Sequence, residues 1–214
     1  TGFESVAVNA SNGYDTAQFT DAVGNNAFTA TPSKAMLTGS GYSLTASKFD
    51  YVNVNKVYGT IDVAYLYDSK GNDTFLSTPS YAMMSGSGYV VRVKGFNSAY
   101  AYSTSGGTDV ARLYGSTGAD ALEATNQYVR LYGSKYATRA KSFKQVSAYG
   151  CGNADQGTLT DAVLTPGKLD ESSLPSSYAE ALWMYNLKKF TLKDSATGTQ
   201  QTITAVDTVY TAYW

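Results

Sequence analysis

Along most of this chain apolar and polar residues alternate in short runs, as in Val110-Ala111-Arg112-Leu113-Tyr114, 128–133 and 137–142, and each run stops at Gly, Asn, Asp or Ser. Alternation with period two is the pattern of a strand with one buried face, and the stops carry turn chemistry. No long segment before residue 178 shows a helical period. Strands are therefore predicted to start near 63, 73, 81, 89 and 98, and again at 110. The start at 110 reproduces the one at 63, so the pattern itself repeats.

The repeat is 47 residues long. Asp15, Asp62 and Asp109 form one column at that spacing, Gly24, Gly71 and Gly118 a second, and Leu37, Met84 and Leu131 a third. Tyr42, Tyr89, Tyr136 and Trp183 form an aromatic column, as do Phe49, Phe96, Phe143 and Phe190, and Phe3 lies 46 before Phe49. The 214 residues hold about 4.6 units, and the register drifts after Asp155. Two coils of about 23 or 24 residues per repeat, with apolar columns in register, predict an all-β, right-handed parallel β-helix with a C-terminal cap. A sandwich or barrel explains the fixed recurrence less naturally. Residues 1–172 form the repeat helix, and 173–214 form a last degenerate repeat and cap of the same domain. Ser173-Leu174-Pro175 breaks the pattern there, and 206–214 is expected to fold over the last coil.

Leu66-Tyr67-Asp68-Ser69-Lys70-Gly71-Asn72-Asp73-Thr74-Phe75, followed by Tyr81-Ala82-Met83-Met84-Ser85-Gly86-Ser87-Gly88-Tyr89, resembles repeat arrays of large secreted proteins from marine, planctomycete-type bacteria. The resemblance implies a module of an extracellular protein fused to other domains. It carries no catalytic residue across.

Composition narrows the chemistry. There are 19 Tyr, no His and one Cys, and charged residues make up 15% of the chain, against roughly 25% in ordinary soluble domains. Without His there is no histidine base and no imidazole metal site, and a lone Cys151 forms neither an internal disulfide nor a thiolate cage. A net charge of −1 argues against nucleic acid as a partner, and no apolar run is long enough to span a membrane.

Parity separates core from surface. Ala111 and Leu113 take the inward phase, leaving Arg112 and Tyr114 outward, as Tyr65 and Tyr67 are one repeat earlier. Val91 and Val93 point inward with Tyr89, which leaves Arg92 and Lys94 outward, and Arg139 and Lys141 occupy the equivalent places. Coils alternating on one sheet would gather these residues into a single stripe. Arg130 stands between Tyr128 and Tyr132 on another outward face, and Tyr51, Tyr81, Tyr100, Tyr102 and Tyr149 add to the outward set. Tyr rings and hydroxyls suit sugars, while Arg and Lys suit carboxylate or sulfate. The expectation is a non-catalytic module that binds polysaccharide through Tyr65, Tyr67, Arg92, Lys94, Arg112, Tyr114, Tyr128, Arg130, Tyr132, Arg139 and Lys141. A β-helix polysaccharide lyase and a spacer or surface-fibre segment are the alternatives. The column of Tyr42, Tyr89, Tyr136 and Trp183 is read as structural. No cofactor is expected; calcium is held open only at the acidic turns of Asp62, Asp73, Asp109 and Asp120, whose nearest pairs are 11 residues apart and lack a double-glycine signature.

Overall fold

A computed structural model describes residues 4–59, 61–152, 154–167, 181–205 and 209–214. Phe3, Ser173-Leu174-Pro175 and the start of the 206–214 segment, all invoked above, lie outside these residues. Among the described residues every regular element is a strand, and the strands wind into a β-solenoid with parallel pairing between turns.

Strand β1 (Ser5–Asn9) precedes three complete repeats. The first contains β2 (Thr16–Thr20), β3 (Ala27–Thr31), β4 (Lys34–Gly39), β5 (Tyr42–Ser47) and β6 (Tyr51–Asn55). The second contains β7 (Val63–Tyr67), β8 (Thr74–Ser77), β9 (Tyr81–Gly86), β10 (Tyr89–Lys94) and β11 (Ser98–Tyr102). The third contains β12 (Val110–Tyr114), β13 (Ala121–Ala124), β14 (Tyr128–Tyr132), β15 (Ala137–Lys141) and β16 (Gln145–Tyr149). Then come β17 (Gln156–Thr160), β18 (Val163–Pro166), β19 (Ala181–Tyr185), β20 (Lys189–Lys193), β21 (Gln200–Thr204) and β22 (Val209–Tyr213).

These strands form two facing sheets. Sheet A runs β1-β5-β4-β3-β7-β11-β15-β14-β13-β17-β20-β21, and sheet B runs β18-β22-β19-β16-β12-β8-β9-β10-β6-β2. In each repeat the first and fifth strands lie in one sheet, and the middle three form an antiparallel meander in the other. Parallel pairing joins strands of successive turns, as in β7 with β11 and β12 with β16. A repeat therefore makes one and a half turns instead of two coils, because three of its five strands sit side by side. Successive repeats exchange sheets: the meander is in A, then B, then A again.

Inward residues from both sheets fill one continuous core, in which Phe28, Phe75, Leu66, Leu113, Leu131 and Phe190 are fully buried. Burying each such side chain favours folding by about 1.5–3 kcal/mol. Phe49, Phe96 and Phe143 sit in three-residue turns between sheets, each directly after a residue of positive φ, namely Lys48, Gly95 or Ser142. That left-handed residue swings the chain round so that the following ring plugs the end of the core.

The fourth repeat departs from the 47-residue clock. Asn186, again at positive φ, is followed by Leu187, so Leu187 and not Phe190 takes the turn position. Phe190 instead lies within β20, opposite Gly157. Trp183 likewise leaves the tyrosine column: it pairs with Ser147 and Thr211 on the outward phase of sheet B, where it is nonetheless buried. The C-terminal strand is built into sheet B. β22 lies antiparallel between β18 and β19, in the place that the middle strand of each earlier meander occupies. Trp214 fastens its end by donating Nε1–H to the Thr160 carbonyl at 2.7 Å.

Candidate functional site

The eleven outward residues fall on two faces. Sheet A carries Tyr65, Tyr67, Tyr128, Arg130, Tyr132, Arg139 and Lys141, while sheet B carries Arg92, Lys94, Arg112 and Tyr114. The single stripe expected from alternating coils is thus replaced by two half-sets, a direct result of the one-and-a-half-turn repeat. Outward phase is kept at every position, and most of these side chains are half-buried by their neighbours.

On sheet A the strands β7, β11, β15 and β14 are adjacent, so their outward residues form one surface. Register places Tyr65 beside Tyr100, Tyr100 beside Arg139, and Arg139 beside Arg130; in the next row Tyr67, Tyr102, Lys141 and Tyr128 are neighbours. Tyr67 and Tyr102 stack with centroids 4.9 Å apart at 12°. The Arg139 guanidinium lies 4.6 Å from the Tyr100 centroid, approaches Tyr102 and Tyr128, and donates to the Tyr102 hydroxyl at 2.7 Å. Arg130 sits 4.2 Å over Tyr132 and pairs with Glu123 at 3.3 Å, and the Tyr132 hydroxyl donates to Glu123 at 3.0 Å. Partial burial, reinforced by the Glu123 carboxylate, raises the pKa of Tyr132.

An open cleft flanks each end of this surface. One, of about 460 Å³, is lined by Asn25, Asn26, Thr38, Ile61 and Tyr65; the other, of about 410 Å³, by Glu123, Tyr132, Ala121, Gln156 and Thr158. They are the same cleft two repeats apart, since Asn26, Ala27 and Gly39 of the first correspond to Asp120, Ala121 and Gly133 of the second. Five strand spacings separate β3 from β13, or about 24 Å. Both open because Ala27 and Ala121, the outward residues at the valley floor, are small.

Sheet B is organised differently. Tyr114, Tyr149 and Tyr185 form a continuous stack with centroid spacings of 4.5 Å at 6° and 12°, and Arg92 lies 5.1 Å over Tyr81. Each ring in that stack covers its neighbour's face, and burial raises the pKa of Tyr114 and Tyr185.

The acidic turns are buried and do not project into solvent. Asp62, Asp73, Asp109 and Asp120 are all almost wholly inaccessible. They belong to three equivalent clusters at the long crossings between sheets: Asp21, Asn26 and Asp62; Asp68, Asp73 and Asp109; Asp120 and Asp155, with Gly115 in the remaining place. The crossings interlock through backbone donors, Asn26 N–H to Asp62, Asp73 N–H to Asp109 and Asp120 N–H to Asp155, at 2.6–2.9 Å. The tyrosine column is part of this system. Tyr42 donates its hydroxyl to Asn26 at 2.6 Å and Tyr89 to Asp73 at 2.7 Å, and burial, then the neighbouring Asp73 or Asp120 carboxylate, raises the pKa of Tyr89 and Tyr136. Gly39, Gly86 and Gly133 make room, since a Cβ at any of them would collide with both the ring and the Asn26, Asp73 or Asp120 side chain. Asp21 and Asp68 were not among the acidic candidates, although their 47-residue spacing, continued at Gly115, was there to be read. Cys151 is exposed and free in a glycine-flanked crossing.

No family model matches the chain, and neither a curated protein nor a solved structure does.

Proposed function

We propose that the protein is a non-catalytic polysaccharide-binding module of a secreted, multidomain protein, and that the glycan lies across the outer face of sheet A. The observation that carries this reading is the pair of equivalent clefts at either end of one tyrosine, arginine and lysine surface. An extended chain crossing the strands meets Asn and Thr groups at one cleft, then Tyr65, Tyr100, Arg139, Lys141 and Tyr128, and then Tyr132 and Glu123 at the other. Tyrosine hydroxyls and ring edges serve sugar hydroxyls and C–H groups, while Lys141 and the guanidinium edges favour carboxylate or sulfate. Rings already stacked on one another contribute edges and hydroxyls, so the clefts are where a whole sugar ring has room.

Affinity electrophoresis against acidic and neutral polysaccharides, run beside reducing-end and unsaturated-product assays, tests the reading. Retention by an acidic glycan, lost in Tyr132→Ala and Lys141→Ala but kept in the sheet B variant Arg92→Ala, is the expected result. Indifference to every glycan leaves a spacer segment, and product formation by the wild type makes the protein a lyase.

A further inference from the structure

We propose that Asp68, Asp73 and Asp109 form a calcium-binding site at the crossing from sheet A to sheet B in the second repeat. One carboxylate oxygen from each lies within 4.8 Å of the others, and all three residues are buried. Among the described residues no cation pairs with any of them. Asp68 supplies the second and independent observation: 3% exposed, it accepts the Ser105 N–H with Oδ2 at 2.8 Å, while Oδ1 is buried with no hydrogen-bond partner. A buried carboxylate oxygen beside two further carboxylates lacks the positive partner that such a group requires.

The first repeat shows what that partner is when the protein supplies it. There Asn26 stands where Asp73 stands, reducing the acidic count, and the Lys56 ammonium lies 3.2 Å from Asp62. Asp21, the counterpart of Asp68, is held by two backbone donors, Val57 and Tyr58. In the second repeat the position of Lys56 is taken by Ser103, whose hydroxyl donates to Asp109 at 2.6 Å, and the amide is replaced by a third carboxylate. The third repeat removes one acid outright by placing Gly115 at the Asp68 position. Among the described residues, only the middle cluster combines three carboxylates with no ammonium. An all-oxygen donor set of carboxylates and a hydroxyl suits a hard divalent ion, and calcium accepts such ligands in flexible geometry where magnesium demands a near-ideal octahedron. Tyr89 and Ser69, both donating to Asp73, orient that ligand from outside.

The full chain, stripped with a chelator at neutral pH, is titrated with calcium chloride by calorimetry and by thermal melts, with terbium luminescence sensitised by Tyr89 as a direct reporter. One ion per chain and a melting temperature raised by several degrees are expected. Asp68→Asn, a charge change at a position where Gly115 shows that the fold dispenses with the acid, should weaken binding at least tenfold. Ser103→Lys, which copies Lys56, should melt above the stripped wild type and no longer respond to calcium. A wild type that shows no heat, shift or luminescence up to about 10 mM calcium, above the range of extracellular calcium modules, overturns the proposal. So does stability that falls with rising pH and ignores calcium, which would mean a shared proton.

Discussion

The pairing of Gly157 with Phe190 offers a quantitative test of how the degenerate fourth repeat is accommodated. In the first three repeats the same core position holds alanine, facing a small partner: Ala17 with Val52, Ala64 with Ala99, and Ala111 with Val146. On the other side of Ala64 and Ala111 stand Phe28 and Phe75. The fourth repeat inverts the sizes, with Leu122, Gly157 and Phe190 across the same three strands. A methyl on Gly157 would sit 2.9 Å from Phe190 Cδ1, 3.2 Å from Cε1 and 3.4 Å from Leu187 Cδ2. Phe190 is fully buried and its ring meets Tyr210 of β22 at 4.9 Å, so it has no open side to retreat into.

Gly157→Ala should therefore destabilise the protein by about 1–3 kcal/mol, the usual cost of overpacking. Phe190→Val alone should leave a void and cost somewhat less than the ~3–5 kcal/mol of a Phe→Ala truncation. The double variant restores the Ala–Val pair of repeats one and three, so the alanine methyl fills space that the ring has vacated. Denaturant unfolding of the four proteins should then give a favourable coupling of about 1–3 kcal/mol, well outside the few tenths expected of independent sites. Additive penalties would refute the size inversion as the reason for glycine at 157.

Replacing Tyr149, the middle ring of the Tyr114–Tyr149–Tyr185 stack, by serine removes two ring pairs and should cost about 1–3 kcal/mol, at 0.5–1.5 per pair; a chemical-denaturation loss no larger than that of Tyr51→Ser would argue against the stack. Lys48 and Ser142 hold positive φ without being glycine, so Lys48→Gly and Ser142→Gly should each be neutral or stabilising by up to about 1 kcal/mol in thermal melts, whereas Phe49→Ala beside the first should be plainly destabilising. Removing 209–214 takes the middle strand from between β18 and β19, and hydrogen exchange should lose protection in β18 and β19 while β7 and β12 keep theirs. Asp161 is held below the ordinary carboxylate range by the Ser195 hydroxyl and amide. Its contribution is present above the usual carboxylate pKa and fades as pH falls through the depressed value, so the protection of the Ser195 amide relative to its intrinsic exchange rate should fall there, and Asp161→Asn should abolish that dependence.

Strand identity, inward phase and the 47-residue clock were legible because they are local properties: alternation marks a strand wherever it lies, and Ala111, Leu113, Val91 and Val93 are indeed buried. The path of the chain was not legible. Whether β8, β9 and β10 succeed one another around the axis or lie side by side depends on turns such as Ser87-Gly88, whose reversal within one sheet looks, in a string of letters, much like a crossing between sheets. The fourth repeat misled for a related reason. A column defined by residue type finds Phe190 and Trp183 at 47-residue spacing, but the positive-φ turn at Asn186 shows that the backbone register had already moved. The buried acids were legible as turn residues and invisible as clusters, because Asp68 and Asp109 meet only when two long crossings from different turns come together.

The half-integral winding explains why chemistry differs from repeat to repeat. One repeat advances the chain by one and a half turns, so its neighbour presents the same five strands on the opposite sheet and the same acidic cluster on the opposite edge. The meanders of the first and third repeats share sheet A, to which the second repeat adds β7 and β11, while its own meander lies on sheet B. Clefts therefore recur at 94 residues on sheet A, not at 47, and the second repeat's counterpart, which includes Arg112 and Gly86, looks away from them. Because the second repeat's meander lies on sheet B, Arg92, Lys94 and Arg112 should be silent toward any ligand that sheet A holds. If Arg92→Ala and Tyr132→Ala instead weaken the same glycan equally, the ligand must wrap an edge of the solenoid, and the division of the protein into two independent faces fails.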